Sequence, residues 1–165
     1  MRSFLLKNNE PIIKWGLLTD GTMYHGKIPE GYDLAVNPHR PYIIVDVDRH
    51  GKKDGFLNIP EHLKDELDST FNYPTKHNGR HYWFYYTGDK FLINKASNLG
   101  IDLRTGNKRY NAKEWTNGGY VKWHPRNNMN IIDVLDQVKR SSPELNKWLE
   151  ELFCSKIKKG KKIHE

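Results

Sequence analysis

The chain has 165 residues and carries 27 Lys and Arg against 20 Asp and Glu, a formal charge of +7. That length suits one domain with a substantial buried core, and 5 Trp, 9 Tyr and 6 Phe exclude disorder throughout. A single cysteine, Cys154, excludes an internal disulfide and a multi-cysteine zinc site. The longest apolar run, Tyr82-Trp83-Phe84-Tyr85-Tyr86, falls far short of the roughly 20 residues of a membrane helix.

Near the amino terminus, Phe4-Leu5-Leu6 is too short for the core of a signal peptide. The expected compartment is therefore cytoplasmic, with no membrane partner. The charge is unevenly spread. Residues 156–165 hold five lysines and one glutamate, which leaves +3 on residues 1–155. This predicts a folded body over 1–155 and a Lys-rich tail or linker over 156–165. A basic excess favours a polyanionic partner through release of counterions. The plain alternative is a solubilising tail.

In chain order, Pro11–Leu18 is a short apolar segment closed by a turn at Thr19-Asp20-Gly21. Asp33–Asn37 reads as a strand. Pro38-His39-Arg40-Pro41 reads as a turn, because each proline restricts its neighbour. Tyr42–Asp48, β-branched and nearly all apolar, is the clearest strand, and the two strands are expected to pair as a hairpin. Pro60–Leu67 predicts a short helix with Pro60 in its first turn. His81–Thr87 is a second strong strand, and Gly100–Leu103 and Gly119–Trp123 are shorter ones.

The period then changes. Ile131, Val134, Leu135 and Val138 stand at helical spacing behind Asn130, a suitable N-cap. Ser142-Pro143-Glu144 opens another helix, whose apolar stripe is Leu145, Trp148, Leu149, Leu152 and Phe153. Cys154 belongs beside that stripe as a helix residue. The class is α+β, a mostly antiparallel sheet flanked by helices, with helices at the carboxy-terminal end.

Three segments carry chemistry. In Asp46-Val47-Asp48, residues i and i+2 of a strand project to one face. Two adjacent carboxylates at the end of a buried strand are costly unless a cation shares them, and oxygen ligands suit Mg²⁺ or Mn²⁺. The competing interpretation is a strand running out into a polar turn. Thr75-Lys76-His77-Asn78-Gly79-Arg80-His81 offers backbone N–H groups and cations together, a combination that suits a triphosphate. A basic hairpin loop with a structural His81 is the alternative. In Gly100-Ile101-Asp102-Leu103-Arg104, Asp102 lies within an apolar strand and requires a metal or Arg104 as partner. Thr105–Asn117 is polar and basic, and reads as a loop over a site or a nucleic-acid contact. Together these segments predict a two-metal phosphoryl-transfer site.

The order of these segments resembles the primase–polymerase domain of the archaeo-eukaryotic primase superfamily, as found in phage and plasmid replication proteins. The matching residues are Ile43-Ile44-Val45-Asp46-Val47-Asp48-Arg49-His50-Gly51, the Thr75–His81 loop leading into Tyr82-Trp83-Phe84, and Ile101-Asp102-Leu103-Arg104. Gly118-Gly119-Tyr120-Val121 with Pro125 follows. In the Thr75–His81 loop, His77 and Asn78 stand where the family has Ser and Gly. The resemblance covers roughly residues 10–126. It implies an RRM-like catalytic sheet and template-directed nucleotidyl transfer. Asp46, Asp48 and Asp102 are then the metal-binding carboxylates, holding two Mg²⁺ or Mn²⁺ ions. His81 contacts the triphosphate, with Lys76, Arg80 and Arg104 as further phosphate contacts. The partners implied are a DNA template and primer, a dNTP or NTP, and a helicase domain in a longer parent chain.

The expected function is thus a DNA primase–polymerase in which Lys108, Arg109, Lys113, Lys122 and the tail hold template backbone. Two rivals use the same residues differently. A metal-dependent nuclease would direct the carboxylates at water. A single-strand nucleic-acid binding module would stack bases on Trp83, Tyr85, Trp115, Tyr120 or Trp123, although aromatics at alternating strand positions more often build core.

Overall fold

The computed structural model describes residues 1–106, 109–110, 115–116, 119–123 and 130–154. The first strands are β1 (Arg2–Lys7), β2 (Glu10–Pro11), β3 (Tyr32–Asn37) and β4 (Tyr42–Val47). A small ribbon, β5 (Arg49–His50) with β6 (Lys53–Asp54), leads through 3₁₀ turns into α1 (Lys64–Ser69). Then come β7 (Asn72–Pro74), β8 (Arg80–Tyr85), β9 (Lys95–Ala96) and β10 (Ile101–Thr105). A second ribbon pairs β11 (Arg109–Tyr110) with β12 (Trp115–Thr116), and β13 (Val121–Lys122) follows. The described chain closes with α2 (Ile131–Val134), β14 (Lys139–Arg140) and α3 (Pro143–Phe153).

Two main sheets carry the fold. One has the order β13-β3-β1-β2, and all its pairings are antiparallel. The other runs β14-β8-β4-β10-β9, with β7 also paired to β8. Only the β14–β8 pairing is parallel among those described. The class is α+β, as the sequence predicts.

Alternation along β4 divides the core. Ile43, Val45 and Val47 point to the helix side, where they pack with Leu63, Leu67, Leu145, Leu149 and Phe153. Ile44 points the other way, into a second cluster with Trp83 and Tyr73 of its own sheet, Phe71 just before β7, and Val36 and Val121 of the facing sheet. The second sheet is thus covered by α1 and α3 on one face and by the first sheet and α2 on the other.

The helix ends follow their sequence signals. The Asn130 side chain accepts from Ile132 N–H, and the Ser142 Oγ from Leu145 N–H. The helix expected over Ile131–Val138 tightens into a 3₁₀ turn after Val134. The predicted stripe of α3 is buried at Leu145, Leu149 and Phe153, with Trp148 and Leu152 packed beside them. Cys154 falls just past the helix in an extended conformation, its N–H donating to Glu150 O.

The expected hairpin of Asp33–Asn37 with Tyr42–Asp48 does not form. β3 lies between β1 and β13, whereas β4 lies between β8 and β10 in the other sheet. The physical reason is the Pro38–Pro41 connection. Its two prolines have no N–H to extend a ladder, and the turn, closed by Tyr42 N–H on His39 O, carries the chain from one sheet to the next.

Candidate metal centre

A row of side chains crosses four strands of the second sheet. The register sets Asp102 of β10 opposite Asp46 of β4, Asp46 opposite His81 of β8, and His81 opposite Tyr73 of β7. Directly opposed residues share a face, so the four point together toward the first sheet. Asp48, two residues beyond Asp46, joins them. One carboxylate oxygen from each of Asp46, Asp48 and Asp102 lies within 4.8 Å of the others. The convergence that alternation predicts for Asp46 and Asp48 therefore extends to Asp102, and the triad can hold a metal ion.

The backbone of Asp48 is clamped by two glycines. Its N–H donates to Gly100 O, and its carbonyl accepts from Gly55 N–H, both at 2.8 Å. Gly100 and Gly55 touch each other so closely that a Cβ on Gly55 would stand 2.2 Å from Gly100 O. Gly79 makes a similar approach from the basic loop, where a Cβ would stand 2.4 Å from Val47 O. These glycines hold the end of β4 against β10 and the Thr75–His81 loop.

Asp46 is only 8% exposed, and its Oδ1 is enclosed without a hydrogen bond. His81 Nε2 lies 3.4 Å away, an ion-pair distance rather than good hydrogen-bond geometry. On its other side, His81 Nδ1 is 3.2 Å from Tyr73 Oη. Arg104 Nη2 stands 3.4 Å from Asp102 Oδ2, the partner that the sequence suggests.

The electrostatics describe a cluster short of positive charge. Burial alone would raise the Asp46 pKa, yet His81 and, more weakly, Arg104 hold it below the ordinary carboxylate value. Asp48 is pushed up to about 7, first by burial and then by the charge of Asp46. Burial also raises Asp102, against the pull of Arg104. Near neutral pH a proton on Asp48 offsets the crowding of negative charge. A divalent cation would displace that proton and give the enclosed Asp46 oxygen's carboxylate a stronger partner. The donor set, oxygen only and with three carboxylates, fits a hard ion such as Mg²⁺ or Mn²⁺.

Beside the triad is a cleft of about 200 Å³ lined by Asp46, Asp48, Arg49, His50, Thr75, Lys76, His77, Gly79, His81 and Lys122. Its lining combines the acidic Asp46 and Asp48 with the cationic Arg49, Lys76 and Lys122. The loop turns on Thr75 N–H donating to Gly79 O and on Asn78 in the left-handed conformation (φ 65°). Asparagine adopts that conformation more readily than most residues. Arg49 reaches back to Asn78 O at 3.4 Å.

Of the expected phosphate contacts, Lys76 and His81 line the cleft. Arg104 is held at Asp102 on the same face. Arg80 is a correction. It neighbours His81 on the strand and so faces the helix side, opposite Val47, with its guanidinium donating to Asn72 Oδ1 at 3.0 and 2.6 Å. Among the expected template contacts, Lys122 lines the cleft from β13, with Nζ 3.5 Å from Asp33 Oδ2. Lys108, Lys113 and the 156–165 tail lie outside the described residues, and Arg109 is placed only as backbone in β11.

Of the candidate base-stacking residues, Trp83, Tyr85, Tyr120 and Trp123 are packing, and the Trp115 side chain lies outside what the structure describes. Trp83 is 1% exposed, and Trp123 stacks among Phe71, Tyr73 and Trp83. Tyr120 packs on Phe4 and Trp15, and Tyr85 on Tyr42. Sequence reasoning missed Tyr73, Arg49 and His50. Tyr73 had a faint signal, an aromatic at the start of the loop that ends in His81. No family model matches the chain, and neither does any curated protein sequence. No helix among the described residues is long and apolar enough to cross a membrane.

Proposed function

We propose that the chain is a template-directed nucleotidyltransferase of the primase–polymerase type, adding nucleotides to a 3′-hydroxyl on DNA. The observation that carries this reading is a carboxylate triad, two of whose members, Asp46 and Asp48, line one cleft with a cation-bearing loop. A catalyst of phosphodiester hydrolysis needs the carboxylates. It does not need Lys76, His77, Arg49 and His50 lining the same cleft, a set that suits the polyphosphate of a nucleoside triphosphate. The chain's net charge of +7 favours a nucleic-acid partner.

In this reaction the 3′-hydroxyl gives up its proton to water, its oxygen forms a bond to the α-phosphorus, the bond from that phosphorus to the bridging oxygen breaks, and pyrophosphate leaves. Asp46, Asp48 and Asp102 would hold two Mg²⁺ or Mn²⁺ ions, which would supply stabilisation of the negative charge on the phosphate oxygens. The chain's own residues bind and orient. Lys76 and His77 draw the β- and γ-phosphates into the cleft. Arg49 holds the loop through Asn78 O. Arg104 tethers Asp102.

The test is extension of a labelled primer on a DNA template with dNTPs or NTPs and Mg²⁺ or Mn²⁺, beside Asp46→Asn. Templated lengthening with matching pyrophosphate release, lost in Asp46→Asn, is the expected result. Shortening of the labelled strand without pyrophosphate would mean a nuclease instead. Nucleic-acid binding with neither reaction and no metal requirement would mean a binding module.

A further inference from the structure

The metal reading leaves the innermost part of the row unexplained. Tyr73 is 5% exposed and His81 5% exposed, so both are polar side chains committed to the interior. Trp83 Nε1 donates to Tyr73 Oη at 3.1 Å, and Tyr73 Oη lies 3.2 Å from His81 Nδ1. His81 Nε2 then faces Asp46 Oδ1 at 3.4 Å. His81 and Trp83 are residues i and i+2 of β8, and Tyr73 stands opposite His81 on β7. The sheet itself therefore lines these groups up.

We propose that Trp83, Tyr73 and His81 form a hydrogen-bonded chain that aims the Asp46 carboxylate, which makes His81 and Tyr73 positioning residues for the metal site. The proposal rests on the triad being a metal site. It deepens that reading, because the resemblance alone assigns His81 to the triphosphate.

The direction of the chain follows from its first donor. An indole N–H can only donate, so one lone pair of Tyr73 Oη accepts from Trp83. A neutral His81 accepts the tyrosine hydrogen at Nδ1 and carries its own on Nε2. A charged His81 donates from both nitrogens. In both states an N–H on Nε2 faces Asp46. The remaining tautomer, with hydrogen on Nδ1 alone, would turn a lone pair toward a carboxylate oxygen and is repelled. Burial keeps Tyr73 from ionising by raising its pKa further, so the hydroxyl hydrogen is always present. Rings pack around Tyr73 on several sides (Phe71 at 5.5 Å, Trp123 at 5.8 Å and His81 itself at 5.3 Å between centroids), and these fix its orientation. Partners that orient a metal ligand from behind typically change metal affinity 10–100-fold when removed.

The test is a double-mutant cycle read by Mn²⁺ calorimetry on the full chain: wild type, Tyr73→Phe, His81→Ala and the double variant. The expected result is that Tyr73→Phe weakens Mn²⁺ binding about tenfold and His81→Ala by about 10–100-fold. Tyr73→Phe should add nothing in the His81→Ala background. Equal losses from Tyr73→Phe in both backgrounds, or no loss in either, would overturn the proposal. Wild-type protein that binds no Mn²⁺ would overturn the metal reading, and this proposal with it. Should Tyr73→Phe fail to fold, ¹⁵N histidine NMR of the metal-free wild type decides. Hydrogen on His81 Nε2 is expected, and hydrogen on Nδ1 alone would overturn the proposal.

Discussion

Asp46 and Asp102 are directly opposed residues on neighbouring antiparallel strands, with Asp46 almost wholly buried. Like charges in that relationship destabilise a sheet by about 0.2–1 kcal/mol. Among the described residues, the sheet accepts this cost where these two carboxylates meet a third, Asp48.

Asp102→Asn should therefore stabilise the metal-free protein while abolishing its use of metal. In EDTA its melting temperature is expected to rise by about 1–4 °C, the span that corresponds to the opposed-pair cost in a chain of this size. Mn²⁺ affinity should fall more than about tenfold, as for loss of one ligand. Melting curves with and without Mn²⁺ check both halves. A lower melting temperature in EDTA would mean that the triad is held together by something other than a cation.

Stability should depend on pH and metal together. Asp48, at about 7, and Asp102, also raised, bind protons more tightly folded than unfolded. Their contribution is full below the unfolded carboxylate value and is lost as pH climbs through the folded one. Asp46 is lowered and works in the opposite sense, below that window. In EDTA the melting temperature should thus decline from about pH 4 to about pH 7. Added Mg²⁺ or Mn²⁺ should raise it more at pH 8 than at pH 5, because protons compete for the same oxygens. Metal stabilisation that is equal at both pH values would contradict the assigned ligands.

Gly55→Ala tests the clamp on Asp48. Its Cβ would stand 2.2 Å from Gly100 O, a backbone atom that cannot turn aside. A loss of about 1–3 kcal/mol in urea unfolding is expected, the range for overpacking, together with weaker Mn²⁺ binding. Full stability would mean that the two loops separate freely.

Lys76 and Arg80 should separate function from structure. Lys76 lines the cleft, whereas Arg80 is bonded to Asn72 on the other face. Lys76→Ala should raise the KM for nucleotide about tenfold, the loss of one charge-assisted contact. Arg80→Ala should leave KM unchanged and cost about 1 kcal/mol of stability. Steady-state extension assays and melting curves decide between them, and the opposite pattern would turn the cleft's sidedness around.

The three carboxylates that could hold a metal were legible because they break a rule: Asp46 and Asp102 lie within apolar strands and Asp48 just past the end of one, where burial without a partner is expensive. Alternation then placed Asp46 and Asp48 on one face. The same alternation should have excluded Arg80, which adjoins His81 and so must point away from it. Tyr73 was harder, since its place in the row depends on the register of a three-residue strand against β8. The Gly55–Gly100 contact lay beyond any local pattern, because it joins segments brought together only by the β4–β10 pairing. β1 went unread: Phe4-Leu5-Leu6 was weighed only as a leader, although these residues are buried beside β3. The failed hairpin came from assuming that neighbours in sequence pair, at a connection whose prolines forbid it.

Because Tyr73, His81, Asp46 and Asp102 belong to four separate strands, the row forms only when all four strands stand in register. A slip of one residue in any strand would swap its member for a neighbour from the opposite face. On the proposed metal reading, uptake of an ion would be a gauge of assembly. A misfolded chain can be compact and rich in sheet yet fail to load an ion, so the fraction of protein that binds Mn²⁺ counts the molecules whose strands have found their proper alignment.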